Sequence, residues 1–459
     1  MSKVSCKLED LIIYISRGIT PKYTEKSDNS CIVLNQKCIR DFSINFNPSR
    51  KNDISLKKIS DEKFIEQYDV LINSTGVGTL GRVAQFLGNA PNSITVDSHI
   101  TIVRPDANKI HPLFFGYLLK SKQSEIESFA QGTTGQTELS RDDLKNMVVE
   151  FTNNKELQIK HSEFLLNIDQ KIHLNTQTNQ TLEAIAQVIF KSWFVDFDPV
   201  RAKAAVLSEG KSEHEANLAA MLVICGKDTS ELNDTEYKAL WQIAEAFPSE
   251  LVENEQFGEV PKEWENTTLS EICSMQNGYA FKSNEWTDSG IPVIKIGSVK
   301  PMIVDIESNG FVSEENEHIR SDFLLKQGDI VVGLTGYVGE VGRIPAGDKA
   351  MLNQRVAKFV PKKLDRELSY YNFVYCLARQ RTFKEYAELN AKGSAQANIS
   401  TRELLNYPIC LASLEVHKFF EIKINELLYK ILTNSQESKV LEKTRGLLLP
   451  KLLSGEIHL

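Results

Sequence analysis

The chain of 459 residues is written twice. Asp69-Val70-Leu71-Ile72, with Thr75-Gly76, Gly78 and Gly81-Arg82-Val83 behind it, recurs as Asp329-Ile330-Val331-Val332, Thr335-Gly336, Gly339 and Gly342-Arg343-Ile344. Asp97-Ser98-His99-Ile100 recurs as Asn353-Gln354-Arg355-Val356, and Gln136, Leu139-Ser140 and Leu144 recur as Gln396, Ile399-Ser400 and Leu404. Leu8, Leu11 and Gly18 answer Leu269, Ile272 and Gly278, and every offset lies between 256 and 261. One register held across so many landmarks is an internal duplication. Whatever one copy folds into, the other must fold into as well.

Each copy reads as mostly short strands. β-branched or alternating runs (Ser30–Leu34, Val70–Asn73, Ser93–Val103, Ile330–Leu334) are broken by Gly, Asn and Asp turns. One helix per copy is expected, over Pro112–Phe129 and Arg366–Leu389.

A long helix follows each copy. From Lys155 to Trp193, apolar Phe164, Ile168, Ile172, Leu182, Ile185, Ile189 and Trp193 step by threes and fours. Ile424, Leu427, Ile431, Leu441, Leu448 and Leu452 do the same near the end of the chain. Such a narrow seam packs along one partner helix. Each seam turns polar midway, through Asn175 and Asn179 and through Asn434 and Ser438. A helix of roughly 37 residues is about 55 Å long and could not stand in water with that seam exposed. The two helices therefore pair with each other, and Ile168, Ile172, Leu182, Ile189, Trp193, Leu427, Ile431, Leu441, Leu448 and Leu452 are the expected pairing and docking positions.

A chain this long exceeds one core and implies two or three domains. Its net charge of −8 argues on its face against nucleic acid. Between Asp196 and Glu265, however, six Lys or Arg face sixteen Asp or Glu, so the total leaves +2 for everything else. One acidic connector hides two near-neutral copies. Helical pieces are expected in it over Glu213–Cys225 and Thr235–Phe247, before the chain loosens into Phe257–Trp264. The seven scattered cysteines form no CxxC pair and read as reduced thiols of a cytoplasmic protein. No apolar run is long enough to span a bilayer, and no export leader is indicated.

Gly76-Val77-Gly78-Thr79-Leu80-Gly81 is a literal GxGxxG. The stretch after Gly81 is too short for the helix that must carry a pyrophosphate, and the second copy breaks the spacing with one extra residue. A glycine turn between strands is the better reading. No Gly-x-x-x-x-Gly-Lys-Ser/Thr loop, Asp/Asn-Pro-Pro-aromatic tetrad or His-x-x-x-His pair is present, so neither ATP hydrolysis, base methylation nor a metal centre is expected of this chain. Asp142-Asp143 sits at a helix start, where carboxylates serve free N–H groups. What remains are polar loops with the donors that DNA edges require. The candidate contacts are Thr75, Arg82, His99, Thr133, Thr134 and Gln136 in the first copy, and Thr335, Arg343, Gln354, Arg355, Ser394 and Gln396 in the second. Solvated turn residues would look the same.

Phe190-Lys191-Ser192-Trp193-Phe194-Val195-Asp196-Phe197-Asp198-Pro199-Val200-Arg201-Ala202-Lys203 resembles the central conserved segment of the specificity subunits of type I restriction-modification systems. Phe257-Gly258-Glu259-Val260-Pro261 with Trp264 is similar to that family's re-entry signature, and Leu449-Pro450-Lys451-Leu452-Leu453-Ser454-Gly455-Glu456-Ile457 to its C-terminal one. The resemblance implies an α+β architecture: two pseudo-repeated, mostly-β target-recognition domains separated by two long antiparallel helices, a coiled coil. On that reading residues 1–154 are the first target-recognition domain, 155–197 the central conserved helix, 198–262 the acidic connector, 263–412 the second target-recognition domain and 413–459 the C-terminal conserved helix. Each domain would read one half of a bipartite, asymmetric double-stranded DNA target. Two methyltransferase subunits would dock on the helices and restriction/translocase subunits would join them, with S-adenosylmethionine, ATP and Mg belonging to those partners. The alternative is a coiled-coil interaction scaffold without DNA readout.

Overall fold

The computed structural model describes residues 3–25, 28–89, 93–130, 138–306, 310–393 and 396–457. The chain forms two compact units, residues 1–172 with 440–459 and residues 173–439.

In the first unit Lys3–Lys7 pairs antiparallel with Val148–Thr152. A four-stranded sheet follows in the order Ile12–Arg17, Ile100–Pro105, Val70–Asn73, Val83–Gln85, antiparallel throughout. A second sheet runs Ile94–Val96, Ser30–Leu34, Arg50–Asp53, Tyr23–Thr24, with its first two strands parallel. Val70–Asn73 is buried on both faces, as a strand covered on two sides must be. The helix Pro112–Ser121 lays Phe114, Phe115, Leu118 and Leu119 into the core beneath it. The expected run Ser93–Val103 is two strands divided by a turn at 97–99, and the expected helix to Phe129 restarts as Gln123–Ser128 after Lys122. The first long helix, Lys155–Phe194, and the second, Leu414–Ser454, run antiparallel here: His161 Nδ1 lies 2.8 Å from Leu452 O, and Asp169 takes Arg445. Asp169 also accepts from Tyr117 Oη at 2.7 Å and from Lys120 Nζ at 3.4 Å.

The second unit repeats this plan. Glu265–Thr268 pairs with Pro408–Leu411. One sheet runs Cys273–Asn277, Val356–Pro361, Ile330–Gly333, Val341–Arg343, Met302–Ile303; the other holds Ile291–Ile294 parallel to Ala350–Leu352. The expected helix over Arg366–Leu389 is Tyr371–Ala378 followed by Arg381–Asn390. The connector is a folded module. Helices Asp198–Ser208, Glu213–Cys225 and Asp234–Ala246 precede a hairpin, Leu251–Asn254 with Gly258–Pro261, where a loosened chain was expected. Two capping boxes (Ser212 with Glu215, Asn233 with Glu236) and left-handed Gly226 set the ends of its helices. Lys203 lies buried and donates to Ala244 O at 3.0 Å and Phe247 O at 2.7 Å, occupying the carbonyls at a helix C-terminus.

Here too the long helices run antiparallel, Trp193 packing on Phe420 and Asn179 on Asn434. The seam differs in detail from the sequence reading. Ile185 is 42% exposed, and Ala186 and Phe190 take the buried positions. Ile168, Trp193, Ile431 and Leu452 are buried, whereas Ile172, Leu182, Ile189, Leu427, Leu441 and Leu448 are half-buried. The polar stretch is bonded across the pair: Asn434 Nδ2 donates to Asn179 Oδ1 at 2.9 Å, and Asn175 Nδ2 to Glu437 Oε2 at 2.9 Å.

Beside it lies an aromatic cluster of Phe190, Trp193, Phe194, Phe373 and Phe420, with His417 stacked on Phe194 at 5.2 Å. Glu421 accepts from the Asn372 and Phe373 N–H groups at 2.9 Å each, yet burial outweighs these bonds and raises its carboxyl to about 8. Burial lowers the His417 imidazole to about 3.

Two predictions follow from the seam. Phe190→Ala should cost about 3–5 kcal/mol and Ile185→Ser about 0.5 or less, read by urea unfolding. The raised Glu421 stabilises below its unfolded value near 4.5, and that contribution is lost as pH climbs through 8; the lowered His417 stabilises above 6.5 and is lost toward 3. Stability should therefore be flat between 4.5 and 6.5, where the two slopes cancel, and fall on either side. Thermal melts of Glu421→Gln should lose the fall between pH 6.5 and 8.

Candidate nucleic-acid interface

In the first unit four loop segments converge at one end of the antiparallel sheet. Ser74 N donates to His99 O at 2.8 Å, and Leu139 N to Ser74 O at 2.9 Å. These bonds tie the glycine turn after Val70–Asn73 to the turn at 97–99 and to the segment at 138–140. Gln36 joins from a short helical turn, its backbone carbonyl accepting from Asn73 Nδ2 at 3.1 Å. Side chains then close a network: Thr79 Oγ1 to Gln36 Oε1 at 3.0 Å, Gln36 Nε2 to Thr75 Oγ1 at 3.2 Å, and Thr75 Oγ1 to His99 Nδ1 at 2.7 Å. Arg17 reaches the same end, paired with Glu138 and donating to Leu139 O at 2.9 Å.

The second unit builds the same frame. Leu334 N donates to Arg355 O at 2.8 Å, Ile399 N to Leu334 O at 2.9 Å and Gly336 N to Ala397 O at 3.0 Å. The isolated bridges Thr75↔Glu138 and Thr335↔Asn398 correspond, as do Ile19↔Asp97 and Tyr279↔Asn353. The backbone is conserved between the copies while the side chains are not. Where the first copy has Gln36 and His99, the second has Ile296 and Arg355. Arg355 is exposed and held at φ 71°, a left-handed conformation that bulky residues adopt only when the surroundings impose it.

Glycine meets two demands at Gly81. Its φ is +84°, and a Cβ there would come within 2.9 Å of the Glu127 backbone. The residues after it enter the strand Val83–Gln85 and not a helix. In the second unit Lys300 Nζ lies 6.0 Å from the ring of exposed Tyr337, beside the matching turn.

The expected contact residues divide as follows. Thr75 and His99 come together, and Gln354, Arg355 and Gln396 are exposed on the second unit's loops. Half-buried Arg82 folds back to donate to Gly78 O at 2.8 Å, and buried Thr335 donates to Asn398 Oδ1 at 2.7 Å. Arg343 must be corrected: it is wholly buried, 4.4 Å over the Tyr375 ring and donating to Leu428 O at 3.1 Å. A guanidinium can be held there because the ring face and a main-chain carbonyl receive it, and it offers nothing to a phosphate. Thr133, Thr134, Gln136 and Ser394 lie outside the described residues. Gln36 and Thr79 were missed, and the second copy, with Ile296 in place of Gln36, carried no hint of them.

Among the described residues no group of three His, Cys, Asp or Glu is placed to hold a metal ion. Burial pushes the Cys273 thiol up to about 12, a poor nucleophile. No helix among the described residues is long and apolar enough to cross a membrane. The arrangement can hydrogen-bond a ligand through His99 and Arg355.

Residues 5–184 and 261–444 match the family model described as the type I restriction modification DNA specificity domain. The HindI type I restriction enzyme specificity subunit of Haemophilus influenzae is 34% identical over 412 residues, 86% of this chain and 88% of that protein. The MjaIX specificity subunit of Methanocaldococcus jannaschii is 24% identical over 381 residues, 81% and 75% of the respective lengths. The fold matches a crystal structure of a type I restriction-modification system S subunit from M. genitalium with a TM-score of 0.54 at 17% identity, covering 99% of this chain and 96% of that one. With both copies and most of its length matched, the chain belongs to the family of type I restriction-modification specificity subunits.

Proposed function

We propose that each head of this specificity subunit reads one half of a bipartite, asymmetric double-stranded DNA target, and that the paired long helices space the half-sites. Two methyltransferase subunits dock on those helices, and restriction/translocase subunits complete the assembly in the cytoplasm. S-adenosylmethionine, ATP and Mg act in the partners, and this chain does no chemistry of its own. The observation that carries this reading is the duplicated loop frame: one backbone, built twice, offering His99 in one copy and Arg355 in the other. Identical frames with unlike side chains suit unequal half-sites, since base edges are told apart by donor and acceptor pattern. Membership of the specificity family leaves the alternative, a scaffold without DNA readout, unsupported.

Exchanging residues 1–150 for those of a relative should change one half of the methylated sequence and leave the other intact. Methylation that persists at the original site would refute the assignment. Inserting four residues into both long helices, level with Asn179 and Asn434, adds roughly 6 Å of rise. The unread spacer should then lengthen by about two base pairs, at 34 Å per turn of about ten. An unchanged spacer in the modified genome would remove the helices from that role.

A further inference from the structure

We propose that His99 is a specificity-determining side chain of the first head, and that Gln36 and Thr75 position it to hydrogen-bond a base edge in the major groove. The proposal rests on the reading of that head as a DNA reader, and it names what one side chain of it selects.

Thr79 Oγ1 stands 3.0 Å from Gln36 Oε1, its shortest hydrogen-bond contact, against 3.3 Å to Thr75 O and 3.4 Å to Gly76 O. A carbonyl oxygen only accepts, so the hydroxyl donates and the amide is turned with Nε2 toward Thr75 Oγ1, 3.2 Å away. Thr75 Oγ1 thus receives an N–H from Gln36 and stands 2.7 Å from His99 Nδ1, so one ring nitrogen is engaged and the ring's orientation is held.

The backbone beneath the ring is fixed as firmly. His99 N donates to Asp97 Oδ1 at 2.9 Å and His99 O accepts from Ser74 N at 2.8 Å, while the side chain stands exposed. What the loop offers outward is one imidazole in a held orientation. In the major groove each base presents its own set of acceptors and donors, guanine O6 and N7, thymine O4, adenine N7 and N6, cytosine N4, and a single ring nitrogen held in one orientation tells some of them apart. The second head lacks this device: Ile296 replaces Gln36, and Arg355 at the station of His99 is a donor in every ionisation state.

The test uses the full chain assembled with its methyltransferase subunits, read by sequencing modified sites in a randomised target library. The half-site of the first head is assigned by the exchange of residues 1–150. The unmodified chain should discriminate among bases at one position of that half, and His99→Ala should relax that preference about 10- to 100-fold while other positions hold. Thr75→Val and Gln36→Leu should relax the same position to a smaller degree, and Thr75→Ser, which keeps the hydroxyl, should not. Retained selection in the other half-site reports that each variant is folded and assembled. A uniform loss over all sequences, or no change, would each overturn the proposal. If the exchange alters neither half, the reading of the head falls; if it alters one and His99→Ala alters nothing, only the proposal falls.

Discussion

The amide pair Asn179–Asn434 is the contact on which the register of the long helices depends in the second unit. Apolar seams tolerate sliding by a turn, because one branched aliphatic side chain replaces another at small cost. A buried amide does not: shifted by one turn, Asn179 and Asn434 would leave donors and acceptors without partners, at about 1–3 kcal/mol for each group stranded. Asn175 adds bonds to Glu437 Oε2 and, at 3.2 Å, to Ser438 Oγ, so the polar stretch acts as a toothed segment. The aromatic cluster around Phe194 and His417 supplies the burial; the asparagines supply the alignment.

The heads follow the same division of labour between frame and identity. Main-chain bonds from Ser74 to His99 and from Leu334 to Arg355 give both copies one loop geometry, independent of which side chain sits there. The sheets behind them are packed apolar layers whose strand order is kept between the units. Variation falls at exposed positions such as His99 and Arg355, and at half-buried Gln36 and Ile296. Position in the sequence repeat does not guarantee a shared environment: half-buried Arg82 folds onto its own turn, whereas Arg343 sinks onto Tyr375.

Much of this was legible in the residues. Ser30–Leu34, Val70–Asn73 and Glu213–Cys225 lie where pattern and caps put them, the last because Ser212, Glu215 and Gly226 mark both ends chemically. The duplication anticipated the repeated sheets. The seam differs by one residue at Ile185, since Ala186 is too small to stand out in an apolar pattern although it is the fully buried one. The network through Gln36 depends on loops about forty residues apart in sequence, and no periodicity reports such a meeting. The burial of Arg343 is likewise decided by Tyr375, on a helix thirty residues further on.

Lys203 has a practical corollary. The residue is 3% exposed and its ammonium stoppers the carbonyls of Ala244 and Phe247, so an amine-directed reagent reaches it only when Asp198–Ser208 parts from the end of Asp234–Ala246. Among the lysines, this one is a native reporter group. The rate at which it is labelled clocks the breathing of the connector.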